Sequence, residues 1–278
     1  MSPLLLGVIA SLCIGVSDNF GRVSAKRAHA ISHVATQMFV GVFVSIPLVI
    51  LLNNSFRTVD ALLGAASGVC VGIGLAIVYT AMADASSAIT APTAGVVAAI
   101  LPLAWDVGLG GASLSAVTAL GCAVAIASLG IVSYNPAIEH QTRRTGLMMA
   151  VVGGVFFGLS IIFAGETSVD SGVWPAVSQR LVAFLAMIPL ALRSRLPIFL
   201  PRSLRVFGLG GGVAGAFGMA ALIVGTQQGD LGTVSVVAST YPAVIVVLAT
   251  VFDNDELRWW QTAGIAGAIA GTILIALG

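Results

Sequence analysis

Gln37-Met38-Phe39-Val40-Gly41-Val42-Phe43-Val44-Ser45-Ile46-Pro47-Leu48 opens on a glutamine and closes on Ile-Pro-Leu. Gln179-Arg180-Leu181-Val182-Ala183-Phe184-Leu185-Ala186-Met187-Ile188-Pro189-Leu190, 142 positions later, does the same. Both copies lie inside long apolar stretches, so the 278 residues read as one unit written twice. Repeats of this length, built from glycine- and alanine-rich spans, are a construction that membrane transporters use.

The composition fixes the solvent. Apolar residues make up 58% of the chain and charged residues 8%, against about one quarter charged in soluble domains. Such a chain cannot cover a globular surface with polar groups, and it belongs in a bilayer. A formal net charge of +1 without a basic run sets nucleic acid aside as a partner. Cys13, Cys70 and Cys122 fall in apolar segments without a CxxC or a nearby histidine pair, and read as small packing residues rather than disulfide or metal ligands. The first segment resembles a signal peptide in being apolar and near Met1. Gly15-Val16-Ser17, however, has a counterpart in Gly158-Leu159-Ser160, which is internal, so that segment reads as part of the fold.

A helix needs about 20 mainly apolar residues to cross the hydrocarbon. Ten stretches qualify: Leu4–Arg22, His33–Leu52, Ala61–Ala81, Ser86–Val107, Leu114–Val132, Thr145–Gly165, Trp174–Leu192, Leu204–Thr226, Leu231–Phe252 and Trp260–Leu277. The expected fold is an all-α membrane protein of ten transmembrane helices in two inverted five-helix repeats, residues 1–134 and 145–278. A polar linker, 135–144, joins them. Five is odd, so the second copy enters the membrane from the opposite side, the arrangement that supports alternating access. The loops after spans 1, 3, 5, 7 and 9 carry Arg22, Lys26, Arg27, Arg143, Arg144, Arg193, Arg195, Arg202, Arg205 and Arg258, and the other side carries only Arg57. Ten against one predicts a multi-pass protein of the cell (inner) membrane with both termini outside the cytoplasm, and the sign survives removal of Arg22 from the count.

Glycine spacing is mostly a packing signal. Gly64, Gly68 and Gly72 form a double GxxxG, with further pairs at Gly154/Gly158 and Gly267/Gly271. Gly210, Gly212 and Gly215 satisfy the dinucleotide GxGxxG pattern, but no strand precedes them, and no P-loop or HExxH is present. No cofactor, nucleotide or metal is expected.

Polar groups inside spans are the site candidates, because a charge in hydrocarbon is costly unless it meets a cavity or a partner. Asp18 and Asn19 lie two thirds along the first span, Gln37 and Gln179 at matching positions of spans 2 and 7, and Arg180 next to Gln179. Asp18 and Arg180 approach the midplane from opposite faces and suit the amino and carboxylate ends of a zwitterion. For Arg180 the alternative is snorkelling to the headgroups. Thr90, Pro92 and Thr93 in span 4 and Tyr241-Pro242 in span 9 either display polar groups to a cavity or mark simple kinks. Trp105-Asp106 and Trp259-Trp260 read as interfacial, Asp230 as a loop residue, and Gln227 and Gln228 stay open.

The run Gly229-Asp230, Val234-Ser235, Pro242, Leu248-Ala249, Phe252, Glu256, Gln261, Gly264 and Gly271 resembles the helix 9–10 pattern of the EamA family in the drug/metabolite transporter superfamily. The resemblance implies a ten-helix bundle with a central cavity lined by helices 1, 3, 4, 6, 8 and 9. It also implies movement of small metabolites such as amino acids, usually outward. Glu256 has no counterpart in the short hairpin Gly108–Ser113, so it reads as a helix cap. Of two registers for span 4 on span 9, the one aligning Val97 with Pro242 is preferred over the one aligning Pro102 with Pro242, with Thr90–Gly95 then facing the cavity opposite Ser235–Thr240. Well-known ten-helix relatives are described with cytoplasmic termini, against the charge count here.

The expected function is a secondary transporter of a small polar or amphipathic metabolite, a monomer or weak homodimer in the lipid bilayer and not an enzyme. Asp18, Asn19, Gln37, Tyr79, Thr90, Thr93, Gln179, Arg180, Ser239 and Tyr241 are its candidate substrate-binding residues. The rivals are an amphiphile or lipid flippase, which needs a side-open groove, and an integral-membrane enzyme. The enzyme would need clustered histidine and acid groups, and His29, His33 and His140 are scattered.

Overall fold

The computed structural model describes residues 1–52, 55–132, 140–253 and 258–278, with the side chains of 85–89, 129, 132, 140–143, 249, 250, 252 and 253 left aside. Glu256 and linker residues 135–139 lie outside the described residues.

The described residues are helical throughout, without strands. The helices are α1 (Pro3–Ala25), α2 (Ala30–Leu52), α3 (Thr58–Ala81), α4 (Ser87–Gly108), α5 (Ala116–Val132), α6 (His140–Gly165), α7 (Trp174–Arg193), α8 (Arg205–Gln228), α9 (Leu231–Ala238), α10 (Tyr241–Asp253) and α11 (Trp259–Leu277). Among the described residues nine helical spans are long and apolar enough to cross a membrane, and a tenth apolar helix at Ala116–Ser128 is shorter. A π-helical turn, Met82–Ser86, carries α3 directly into α4. The ninth span is two helices, α9 and α10, because Pro242 has no N–H to give Ala238, and the chain turns at Ser239–Thr240.

Local chemistry sets the ends. Ser2 caps α1, its hydroxyl accepting from Leu5 N–H at 3.3 Å, with Pro3 at the first helical position. Asp106 ends α4 and also caps α9 from outside, its Oδ2 accepting from Gly232 N–H at 2.7 Å, whereas the Asp230 side chain makes no cap bond. At the start of α11, Gln261 Oε1 accepts from Arg258 N–H at 3.0 Å.

The pairing of helices is unchanged when the first five spans are exchanged with the last five. α1 packs on α8 as α6 does on α3; α2 packs on α8 as α7 does on α3; α4 packs on α6 as α9 and α10 do on α1. α2 pairs with α7, and α5 with α11. Glycines make these approaches possible. A side chain at Gly64 would meet Ser178 and Pro175, and one at Gly68 would meet the Gln179 backbone. In the mirror contact, Gly208 faces Thr36 and Gly212 faces Val40 and the Gln37 carbonyl. The GxGxxG glycines are therefore contact points, with Gly210 against Phe20 and Gly215 against Ser17. Gly154 and Gly158 receive α4 at Val97 and Leu101, and Gly267 and Gly271 receive α5 at Ser128 and Ala125.

The loops divide by charge as their sequence suggests. Arg27 stacks over Phe207, Ser32 Oγ donates to Pro197 C=O, and Leu200 N–H donates to Thr36 Oγ1, so the α1–α2 corner and the α7–α8 loop share one face. On the opposite face Arg57 donates to Ser168 Oγ at 2.6 Å and lies 3.7 Å from Asp60, and Trp105 Nε1 donates to Glu166 at 2.7 Å. Gln227 there donates to Thr167 Oγ1 and Gly172 C=O. Arg22 is not a loop charge: it is 2% exposed and donates to Asn19 Oδ1 at 2.9 and 3.1 Å. Without Arg22 the sequence count of loop cations becomes nine to one.

Candidate functional site

Four helices that cross near the middle of the bundle, α1, α2, α7 and α8, bring Asp18, Gln37, Arg180 and Gly215 to one small cavity of ≈ 80 Å³. The remaining wall is largely apolar, with Leu75 from α3, Ala98 from α4, Phe157 from α6, and Met219 and Leu222 from α8. Ser239 and Tyr241 line it from either side of the break in the ninth span. All the lining residues are buried or partly buried.

Asp18 enters from α1 and is 4% exposed. Its Oδ1 accepts from the Tyr79 hydroxyl at 2.7 Å. The ring of Tyr79 lies where a side chain at Gly21 would otherwise be, one turn beyond Asp18 on the same helix. Arg180, also 4% exposed, does not run out to the headgroups. Its guanidinium turns inward, donating to the Gly215 carbonyl and, from Nη1, to Met38 Sδ at 3.2 Å. The glycine at 215 lets α8 come this close, since an added side chain would lie 3.4 Å from Arg180 Nη2 and 2.8 Å from Ser17 Oγ. No ion pair joins Asp18 and Arg180 among the described residues. Arg180 Nε, Ser239 Oγ and Tyr241 OH are buried without a hydrogen-bond partner there.

The two glutamines of the repeat do matching work. Gln37 Nε2 donates to Ser17 Oγ at 3.0 Å, and Ser17 Oγ donates to the Gly211 carbonyl at 2.8 Å, tying α2, α1 and α8. Gln179 Nε2 donates to Ser67 Oγ at 2.8 Å, and Ser67 Oγ donates to the Ser160 carbonyl at 2.7 Å, tying α7, α3 and α6. Gln37 also lines the cavity; Gln179 does not. Asn19 turns away to Arg22. Thr90 is buried and Thr93 half-buried on α4, neither on the cavity wall, which α4 reaches through Ala98.

The expected register of α4 on the ninth span also shifts. Gly15 touches Val244 as Gly158 touches Leu101, a correspondence of 143 positions, which aligns Ala99 rather than Val97 or Pro102 with Pro242, while the α4 residue that meets Pro242 itself is Gly95. Of the ten candidate residues, five line the cavity (Asp18, Gln37, Arg180, Ser239 and Tyr241), and Tyr79 is bonded to one of them. All six helices expected on the wall contribute, and α2 and α7 join them with Gln37 and Arg180. Ser17 and Ser160 escaped the sequence reading as polar wall groups although their signal was present, because each ends a matched Gly-x-Ser triplet.

Comparison with known proteins adds the family. The family model described as "EamA-like transporter family" matches residues 144–277. No curated protein matches the sequence significantly. A solved structure described only as "Crystal structure of protein" superposes with a TM-score of 0.72 at 14% identity, over 99% of this chain and 98% of that one. That likeness shows the fold alone. The match runs from within α6 to the end of α11, so the second half of the chain carries the EamA-like transporter pattern.

Proposed function

We propose that the protein is a secondary transporter that carries a small polar or amphipathic metabolite, an amino acid or analogue favoured, by rocking its two five-helix units, residues 1–134 and 145–278, about the central cavity. The observation that carries this reading is the pair Asp18 and Arg180. They are opposite charges, both buried, on the wall of one cavity, and no ion pair joins them among the described residues. Buried charges are costly when unpaired, and a zwitterion with its ammonium at Asp18 and its carboxylate at Arg180 offsets both costs at once. The apolar wall suits a short hydrocarbon side chain, and a cavity of ≈ 80 Å³ is small beside drug-sized sites of about 300–1,000 Å³. The symmetric helix pairing supports alternating access. The basic loops, read as cytoplasmic, put both termini outside, and export is the direction that the resemblance to the EamA family suggests.

The test is a thermal-stability screen of the purified protein followed by transport in proteoliposomes. A small zwitterionic amino acid raises the unfolding temperature, with about 2.7 kcal/mol of stabilisation at a hundredfold excess over its dissociation constant. Asp18→Asn and Arg180→Gln each reduce its transport by roughly 30-fold or more, the cost of leaving one partner of a buried charge pair unmatched. If Asp18→Asn transports as well as wild type, the role given to Asp18 is wrong. Stabilisation by amphiphiles alone, with no response to water-soluble metabolites, replaces this reading with a lipid or amphiphile carrier.

A further inference from the structure

Tyr79 has one hydroxyl proton and two acceptors within reach, Asp18 Oδ1 at 2.7 Å and Gln37 Oε1 at 3.4 Å. What decides between them sits one turn before Gln37 on α2. Ser17 Oγ gives its own proton to the Gly211 carbonyl, so it accepts from the Gln37 amide nitrogen, and the network thereby fixes which way that amide points. The Gln37 carbonyl oxygen then faces His33 Nε2 at 3.0 Å, which makes Nε2 the protonated nitrogen of the ring. His33 is fully buried, its Nδ1 has no partner among the described residues, and its ring meets that of Tyr79 edge-on at 5.4 Å.

We propose that His33 is a positioning residue for Asp18, acting through Gln37 and Tyr79. By donating to Gln37 Oε1, His33 satisfies that buried carbonyl and leaves the Tyr79 proton to Asp18. Without the donor, the carbonyl is a buried acceptor in need of a proton, and Tyr79 is the nearest source. The single Tyr79 hydrogen bond is thus a two-position device, set by a side chain that touches neither Asp18 nor the cavity. The second half has nothing like it. By the glutamine register His33 corresponds to Pro175, and by the Gly64–Gly208 register Tyr79 corresponds to Ile223. The device serves Asp18, the acidic group on the cavity wall.

The inference rests on Asp18 as the group that meets the ligand, but its test needs no ligand. The titratable groups facing Asp18 are Tyr79 from α3, Arg180 from α7 and Tyr241 from α10; the group facing His33 is Tyr79, while α8 brings only the Gly211 backbone. The carboxyl stretch of Asp18, assigned by its loss in Asp18→Asn, is followed by infrared difference spectroscopy during a pH titration of the purified full chain. His33→Leu shifts the Asp18 midpoint by roughly half a pH unit, about threefold in proton affinity. His33→Gln, which keeps an N–H donor, restores it. In a Tyr79→Phe background His33→Leu has no effect on it, which a general loosening of packing would not reproduce. Should His33→Leu not fold, His33→Phe carries the same expectation, and in a Gln37→Met background, where no carbonyl competes for the Tyr79 proton, neither substitution shifts the midpoint. An Asp18 midpoint that is the same in every variant overturns the proposal, and so does a His33→Leu shift that persists in the Tyr79→Phe background. Neither outcome depends on whether any solute is transported.

Discussion

Gly21 holds its place for the sake of a side chain on another helix. A methyl group there would overlap the ring of Tyr79, whose hydroxyl reaches Asp18 only because α1 and α3 approach this closely. Overpacking of this kind costs about 1–3 kcal/mol. Gly21→Ala is therefore expected to lower stability to unfolding in mixed micelles by that amount and to displace Tyr79 from Asp18. Gly130→Ala, at a position where an added side chain meets nothing, is neutral or slightly stabilising because alanine is the better helix former. Equal effects from the two substitutions would mean that the Gly21 contact is not tight. At this scale the sequence was legible where a residue was chemically out of place. Asp18 and Arg180 stand out in apolar spans, and both reach the cavity. It was not legible where identity alone gives no direction. Asn19 follows Asp18 in the chain, yet helical geometry turns it by about 100°, and its amide meets Arg22. The matched glutamines looked like a pair of binding groups; their amides bind α2 to α1 and α7 to α3, and of the two only Gln37 lines the cavity.

Whole elements were easier to find than to rotate. Span ends follow from where the apolar stretches stop, and ten expected stretches lie within a few residues of the observed helices. Which face of each helix looks inward does not follow, because a span that is apolar all round marks no face. That is why Phe157, Met219 and Leu222 gave no sign of lining the cavity, and why α4 presents Ala98 instead of Thr90 or Thr93. One proline was an exception: Pro242 stands at a break in its span, whereas Pro47, Pro92, Pro102 and Pro189 sit inside unbroken helices. Pro242 leaves the Ala238 carbonyl without its helical partner, and the break it causes puts Ser239 and Tyr241 on the wall. Pro242→Ala returns the donor. The ninth span is then expected to run through as one helix, with stability equal to or above wild type, while Ser239 and Tyr241 leave their positions. Each hydrogen bond lost to a ligand is worth about 1 kcal/mol, roughly a fivefold loss of affinity. Ligand-induced stabilisation measured beside intrinsic stability separates the two effects, and unchanged affinity would show that the break has no part in binding.

At the scale of the molecule, the symmetric pairing of helices fits an internal duplication, and the charge on the loops predicts its orientation. The α1–α2 corner and the α7–α8 loop sit together on the basic face, while the α4–α5 loop and the starts of α1 and α9 lie on the other. Basic residues in short loops are retained in the cytoplasm, and removing the buried Arg22 from the count still leaves nine cations against Arg57 alone. The resemblance to ten-helix relatives argued for cytoplasmic termini, so the charge rule makes a prediction that can fail. Ser113 in the α4–α5 loop and Ser194 just after α7 are both exposed, one on each face. Cys70 and Cys122 are buried in helices and Cys13 partly so, which keeps background labelling low. In intact cells, Ser113→Cys is expected to react with a membrane-impermeant maleimide, and Ser194→Cys to react only after the membrane is opened. The reverse pattern would turn the bundle over, while leaving the cavity, its two charges and the symmetric pairing as they are.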